Sequence, residues 1–265
     1  MDAAAIESAL KGGFGRPLAY FDALDSTQTE AFRWAEEGAP EGALVVADHQ
    51  TAGRGRRGRA WLSHPGRLLQ FSLVLRPRLA VDRLGLITTA LGLGVAEGIE
   101  QATGLLATTK WPNDVMVDER KVAGILVETR VAGAGIRVAV AGVGINVSWR
   151  AEEVPPEIAE RATSLLVASA HSSLGPLPRR AEILALVLLS IEESYRLAIA
   201  DPVELLQRAR SRSNVLGRRV TVRFGDGSEL EGIASALAGS GALVVETDDG
   251  VRELEAGEIE QVRPS

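Results

Sequence analysis

QTAGRGRRGRAW, residues 50–61, combines three glycines with four arginines in one short segment. A segment so rich in Gly and Arg does not form a regular helix or strand, so we predict a loop over residues 50–66. Glycine lets the backbone pass close to a ligand, and its N–H groups can point at one oxyanion. Arginine adds forked, permanently charged donors that suit carboxylate and phosphate. The loop is therefore predicted to hold two anions close together, as activation of a carboxylate by ATP requires.

Two anions brought together repel by about 1 kcal/mol at contact in water, and by several when solvent is excluded. The arginines of the loop would offset this repulsion and stabilise charge that develops at phosphorus.

Gly53-x-Gly55-x-x-Gly58 also matches the dinucleotide-binding fingerprint, but a helix should follow it and an acidic residue should lie about 20 residues on. Neither is evident, which disfavours a Rossmann fold. For this segment alone, an exposed loop without function stays an alternative.

The residues on both sides of the loop predict strands and helices in mixed order. Strand-like runs occupy residues 18–23, 43–47, 68–75, 107–110, 114–117, 122–129 and 136–147, the last two as a hairpin. Helical composition occupies residues 27–37, 84–101, 177–198 and 202–211. This order predicts an α+β fold, in which helices pack on one mixed sheet.

The pattern changes after Ser213. Short alternating segments occupy residues 218–224, 229–238, 242–247 and 251–255, and Gly-containing turns separate them. Such a series of short strands predicts a small SH3-like β-barrel. We therefore expect a catalytic domain over residues 1–214 and an SH3-like domain over residues 215–265.

Composition limits the classes of function. The chain has no cysteine, and its three histidines lie far apart without an HExxH motif, so disulfides are excluded and a zinc catalyst is disfavoured. The net charge of −6 argues against general nucleic-acid binding. The sequence begins without a signal-peptide pattern and contains no uncharged apolar run of about 18 residues. We therefore expect a cytoplasmic protein that neither crosses a membrane nor binds DNA.

Three further segments carry residues that suit a ligand site. KWPND, residues 110–114, places an amide beside a carboxylate on Pro-fixed backbone, although a plain turn has the same composition. KVAGILVE, residues 121–128, begins with a lysine that can face a carboxylate or phosphate, or simply lie at the surface. GVGINV, residues 142–147, allows something to approach the backbone closely, or is an ordinary strand end. No GxxxxGK[ST] or GxSxG motif is present, which disfavours a P-loop and a serine hydrolase.

Taken in order, GRGRRG, KWPND, KxAGILVE and GVGIN resemble the hallmark blocks of the biotin protein ligase family, and the match spans about residues 22–147. The resemblance implies a class II synthetase-like biotin/lipoate ligase core followed by the SH3-like barrel. It implies that biotin and ATP, with Mg²⁺, give biotinyl-5′-adenylate and pyrophosphate. The acceptor lysine of a biotin carboxyl carrier domain would then attack the adenylate and release AMP. The resemblance leaves a homodimer open.

The resemblance also assigns site residues by motif position. The implied biotin contacts are Ser26, Thr27, Gln50, Gly53, Arg54, Arg56, Lys121 and Gly124. The implied nucleotide contacts are Arg54, Arg56, Arg59, Trp61, Asn113, Asp114, Lys121, Gly144 and Asn146. Catalysis would rest on Arg56, Lys121 and Asp114, with Asp114 acting either as the base for the acceptor lysine or as a ligand to magnesium or phosphate.

Two features depart from the family pattern. Gln28 stands where the family usually has Asn, which moves the amide about one carbon–carbon bond farther from the backbone. Residues 1–17 precede the first predicted strand, whereas repressor-type members carry a helix-turn-helix domain there, so we expect a monofunctional ligase that binds no operator. A lipoate–protein ligase of the same fold is the enzymatic alternative. A non-catalytic anion-binding module is the alternative from another class.

Overall fold

The computed structural model describes residues 1–133, 135–170, 175–255 and 257–263. The described helices are α1 (Ala3–Ala9), α2 (Thr27–Glu36), α3 (Leu84–Thr103), α4 (Leu165–Ser169), α5 (Arg180–Ala200) and α6 (Pro202–Ser211). The described strands are β1 (Leu18–Leu24), β2 (Leu44–Gln50), β3 (Leu68–Leu75), β4 (Thr108–Lys110), β5 (Asp114–Val117), β6 (Arg120–Ala132), β7 (Gly135–Asn146), β8 (Arg219–Arg223), β9 (Glu229–Leu237), β10 (Leu243–Thr247), β11 (Gly250–Leu254) and β12 (Glu258–Arg263). Ala134 of the predicted hairpin turn and His171 lie outside the described residues.

The first seven strands form one sheet in the order β1-β2-β3-β7-β6-β5-β4. β1 and β2 run parallel, and the other neighbouring pairs are antiparallel. β3 lies between β2 and β7 and is buried over all 8 of its residues, which explains its almost continuously apolar sequence, LLQFSLVL. The predicted α+β fold with a mixed sheet is therefore confirmed.

Helices cover both faces of this sheet. α3 and α5 pack tightly against each other, because Cβ atoms at Gly94 and Gly98 would lie only 2.6 Å from Ile191 Cα and 2.4 Å from Val187 Cα. Only glycine permits two helix backbones to approach so closely. Phe32 of α2 packs with Val45, Val74 and Val140, which belong to an apolar cluster separate from that of α3 and α5. Because side chains alternate along a strand, α2 lies on the opposite face.

The last five strands form a second, antiparallel sheet in the order β11-β10-β9-β8-β12. This sheet packs on α3 and α6 through an apolar cluster that includes Leu86, Leu206 and Val245. The chain reaches it from the edge of the first sheet, where Thr109 N donates to Arg212 O at 2.8 Å. A C-terminal β-sheet unit is therefore confirmed. Its closure into an SH3-like barrel and a boundary between residues 214 and 215 stay predictions.

Most predicted elements have their expected places, and the differences have local causes. α5 begins at Arg180 rather than at residue 177, because Pro178 disfavours helical backbone before it and the Glu182 carboxylate accepts from Arg179 N at 2.8 Å. The sequence interpretation missed α1, α4 and β12. Among the described residues, no helix is both long and apolar enough to cross a membrane.

Candidate active site

A cavity of about 800 Å³ opens on the sheet face that α2 covers. Gly142, Gly144 and Asn146 of β7 line it, and these alternate positions share a face with Val140, which packs on α2. Alternate residues lie about 7 Å apart along a strand, so the cavity follows β7 over two such steps. Other parts of its wall are the 50–66 loop, the KWPND turn, residues 158–162 and the start of β12.

The end of the cavity beside the N-terminus of α2 is lined with buried polar side chains. Gln50 Oε1 accepts from Thr27 N at 2.8 Å and lies 3.2 Å from Thr27 Oγ1. Ser72 Oγ lies 2.8 Å from Thr27 Oγ1 and donates to Gln28 Oε1 at 3.1 Å. Gln28 Nε2 donates in turn to Val140 O at 3.0 Å. This end of the cavity suits a compact ligand group that carries both hydrogen-bond donors and acceptors.

Two glycines form a flat platform in the middle of the cavity. Gly124 of β6 and Gly144 of β7 are cross-strand partners, and the indole of Trp61 lies on them. A Cβ at Gly144 would be 2.4 Å from Trp61 Cε2, and a Cβ at Gly124 would be 3.0 Å from Trp61 Cζ3. Trp61 Nε1 is buried and has no hydrogen-bond partner among the described residues. The indole is therefore held by van der Waals contact with the two glycines and not by a hydrogen bond. A ligand that binds on the platform must displace it.

Charged groups gather next to the platform. Lys121 Nζ lies 2.6 Å from Asp114 Oδ1 and 5.6 Å from the centre of the Trp61 ring. Arg56 Nη1 donates to Asn113 Oδ1 at 3.1 Å. Burial lowers the pKa of the Arg56 guanidinium from its usual value, but arginine stays charged in proteins. Two cations are thus available to anions that enter beside the platform.

The second sheet holds the arginine-rich loop through Glu258, the first residue of β12. The Glu258 carboxylate lies 2.7 Å from Arg59 Nη1 and 3.7 Å from Arg57 Nη1. Arg56 Nη1 also lies 3.4 Å from Gly257 O. Burial alone would raise the pKa of Glu258, but the hydrogen bond from Arg59 and the charges of the three arginines hold this pKa below its usual value. The loop is therefore tied to both sheets.

The structure brings the predicted site residues together, with one exception. The predicted residues that line the cavity are Ser26, Thr27, Gln50, Arg54, Arg56, Arg59, Trp61, Asn113, Asp114, Lys121, Gly124, Gly144 and Asn146. Gly53 instead lies at the neck of the loop, where a Cβ would be 2.9 Å from Trp61 O and Gly53 O accepts from Trp61 N at 2.9 Å. Its glycine identity therefore has a structural reason.

Some lining residues were not predicted from the sequence. Lys110 belongs to KWPND, and its motif position was an available signal; burial lowers its pKa, although Asp114 and Glu258 oppose the shift. Ser72 interrupts an apolar strand, which is also a visible signal. The sequence around Glu258 carried no such signal, because its hydrogen bond to Arg59 spans 199 residues of sequence.

A resident magnesium site does not fit the residues present. The described part of the chain contains no group of three or more His, Asp or Glu side chains that could hold a metal ion. Asp114, the predicted ligand, is paired with Lys121. Mg²⁺ in nucleotide sites is held by one or two carboxylates together with substrate phosphates. An ion that arrives on ATP is compatible with this site.

Comparison with known proteins identifies both parts of the chain. The model of the Biotin/lipoate A/B protein ligase family matches residues 20–146, and that of the Biotin protein ligase C terminal domain matches residues 215–261. The bifunctional ligase/repressor BirA of Bacillus subtilis is 35% identical over 93% of this chain and 74% of its own length. The biotin--[acetyl-CoA-carboxylase] ligase of Mycobacterium tuberculosis is 32% identical over 90% of this chain and 86% of its own length.

The fold agrees with this relationship. A solved structure of the biotin protein ligase from Aquifex aeolicus, in complex with biotin and ATP, superposes with a TM-score of 0.77 at 33% identity. The match covers 94% of this chain and 100% of the Aquifex chain. The chain therefore belongs to the biotin protein ligases of the biotin/lipoate A/B protein ligase family.

Proposed function

We propose that the chain activates biotin with ATP and transfers the biotinyl group to a lysine of a biotin carboxyl carrier domain. The main support is the order of groups along β7. The polar end of the cavity lies beside Gly142, and the glycine platform at Gly144 comes next. Lys121 follows on the far side of the platform from Gly142, because its Nζ lies 3.1 Å from the point where a Cβ on Gly124 would be. Biotin presents a ureido ring, an apolar middle and a carboxylate in the same order.

In the first half-reaction, a carboxylate oxygen of biotin attacks the α-phosphorus of ATP. The new bond gives biotinyl-5′-adenylate, and the bond to pyrophosphate breaks. Lys121 and Arg56 would offset the repulsion between the carboxylate and the phosphate, which is several kcal/mol in a site without water. The adenylate would occupy the platform, so the indole of Trp61 would move aside with its loop and cover the product.

In the second half-reaction, the acceptor lysine attacks the acyl carbon and AMP leaves. The amine must be neutral, yet with an ordinary pKa of about 10.4 only about one in 2,500 is neutral at pH 7. Orientation can supply about 7–11 kcal/mol of the barrier. We propose that Asp114 accepts the proton. Its ion pair with Lys121 would first have to open as Lys121 turns to the adenylate.

Transfer from preformed adenylate tests the role of Asp114 apart from activation. We expect Asp114→Asn to slow this transfer step. If the variant transfers at the normal rate but forms adenylate slowly, Asp114 instead serves the phosphates or their metal, and the base role is wrong.

Pyrophosphate release in the presence of ATP and one candidate acid tests the proposed function. We expect release with biotin and little with lipoate, because the dithiolane of lipoate has no N–H or C=O for Thr27 and Gln50. Release driven by lipoate alone would establish the lipoate–protein ligase alternative. No release with either acid would favour a non-catalytic anion-binding module.

Three further expectations accompany this proposal. We propose that Mg²⁺ enters with ATP, so EDTA should abolish pyrophosphate release and excess Mg²⁺ should restore it. A cytoplasmic location and a homodimer also stay predictions. Sedimentation of the purified chain at several concentrations would check the homodimer.

A further inference from the structure

The amide of Gln28 is fixed by the backbone around it. Gln28 is 3% exposed, and its Nε2 lies 3.0 Å from Val140 O and 3.4 Å from Leu126 O. If the amide were turned over, its oxygen would face two carbonyl oxygens, which can only accept. The carbonyl of Gln28 must therefore point to Ser72, and it can only accept a hydrogen bond there.

This orientation decides the direction of the hydrogen bonds that follow. Ser72 is fully buried, and its Oγ lies 3.1 Å from Gln28 Oε1 and 2.8 Å from Thr27 Oγ1. A hydroxyl has one proton. If Ser72 donates to Gln28, then Thr27 must donate to Ser72. The reverse direction leaves the Gln28 oxygen buried without a donor, which disfavours it by about 5- to 150-fold.

The proton of Thr27 is thus directed away from the ligand. Gln50 Oε1, which accepts from Thr27 N at 2.8 Å, has a second lone pair and also lies within hydrogen-bond distance of Thr27 Oγ1, at 3.2 Å. The contact with Ser72 is shorter, at 2.8 Å, and both acceptors belong to the protein, so neither one turns the proton toward the ligand. Thr27 Oγ1 therefore offers only lone pairs to the cavity that it lines.

We propose that Gln28 is a positioning residue that acts through Ser72: it sets Thr27 as a hydrogen-bond acceptor and so selects a ligand that carries an N–H at this point. The inference rests on the proposed function, in which this N–H belongs to the ureido ring of biotin. The series Thr27→Ser72→Gln28 is called the hydroxyl relay below. The longer side chain of Gln28, compared with the Asn usual in the family, lets one amide reach both the β6–β7 carbonyls and Ser72.

Two variants and two substrate analogues test the hydroxyl relay. Ser72→Ala removes its middle link, and Gln28→Met removes the terminal acceptor while keeping the length of the side chain. Each enzyme is given biotin and the two biotin analogues in which one or the other ureido N–H is replaced by oxygen. For one of these analogues, we expect the wild-type kcat/KM for pyrophosphate release to be about 10- to 100-fold lower than for biotin.

In both variants the proton of Thr27 can turn into the cavity and meet the ring oxygen. The ratio of kcat/KM for biotin to kcat/KM for that analogue should therefore fall by about tenfold. The change should lie in KM for the acid, and kcat and KM for ATP should stay near their wild-type values. A merely structural role would lower the melting temperature without changing the ratio between the acids.

Ser194→Ala is the matched control, because Ser194 is a fully buried serine of α5 outside the residues that line the cavity. The Ser194→Ala enzyme should keep the wild-type ratio of kcat/KM for biotin to kcat/KM for the analogue. An unchanged ratio in either folded variant would overturn the hydroxyl relay; Gln28→Asn, which draws the amide back from Ser72, replaces both variants if neither folds. A wild-type enzyme that releases no pyrophosphate with biotin would overturn the proposed function, and the relay with it.

Discussion

Replacing Lys121 with Met should abolish most activation of biotin while leaving the fold intact. Lys121 Nζ lies 2.6 Å from Asp114 Oδ1, and the two side chains are 31% and 26% exposed. An ion pair that retains this much contact with solvent contributes about 1 kcal/mol or less to stability. Loss of one charged contact to the transition state costs about 2.7–4 kcal/mol, or about 100- to 1,000-fold in rate. The effect on catalysis should therefore be much larger than the effect on folding.

The assay is biotin-dependent pyrophosphate release, measured beside the melting temperature. Lys121→Arg should restore little, because the Trp61 ring lies 5.6 Å from the ammonium and a forked guanidinium does not replace a point charge. Lys11→Met, at an exposed position, is the matched control and should be fully active. Near-normal pyrophosphate release by Lys121→Met would refute the role given to this lysine.

The remaining predictions concern the loop and its attachment to the second sheet. Arg56→Gly should fold but release free biotinyl-adenylate, which would biotinylate bystander proteins; unchanged acceptor selectivity would count against this role. Protease cleavage within residues 50–66 should fall when biotin and ATP are added, because the adenylate displaces Trp61 and the loop closes over it; equal cleavage in both states would contradict closure. The pKa of Glu258 is lowered from 4.5, so its contact with Arg59 should stabilise the fold above that pH and be lost as the pH falls below it. Glu258→Gln should remove this part of the acid-side loss in melting temperature, and an identical loss in the variant would refute it.

The sequence was sufficient for the elements whose pattern is local and strong. β3 is buried along its length and reads as an almost continuous apolar run, so its bounds were predicted correctly. α6 has Pro202 at its start and was also predicted with its observed bounds. By contrast, α1 has 7 residues and buries only Ile6, and α4 has 5 residues. Helices this short depend on tertiary contacts for their stability, so their sequences carry little signal.

In the site, too, local motifs were predictable and contacts between distant segments were not. The motifs identified the cation pair and the glycine platform, because each motif is a short segment with its own chemistry. They did not show that the Trp61 indole lies on that platform, or that Glu258 meets the loop. Both contacts depend on how distant segments pack, and the Glu258 contact with Arg59 spans 199 residues. The role of Gln28 likewise became interpretable only when the positions of Ser72 and Val140 were known.

The proposed function requires that one cavity forms biotinyl-adenylate and that its biotinyl group then passes to a carrier lysine, with release of AMP. The most direct measurement is a single-turnover reaction of the enzyme with biotin, ATP and a purified biotin carboxyl carrier domain, followed by intact mass spectrometry of that domain. We expect biotinyl-adenylate to appear first on the enzyme, and the carrier then to gain one biotinyl group on one lysine as AMP is released. A carrier that gains no mass, although adenylate forms, would contradict the proposed transfer step. Absence of the adenylate would contradict the proposed activation of biotin and the transfer with it.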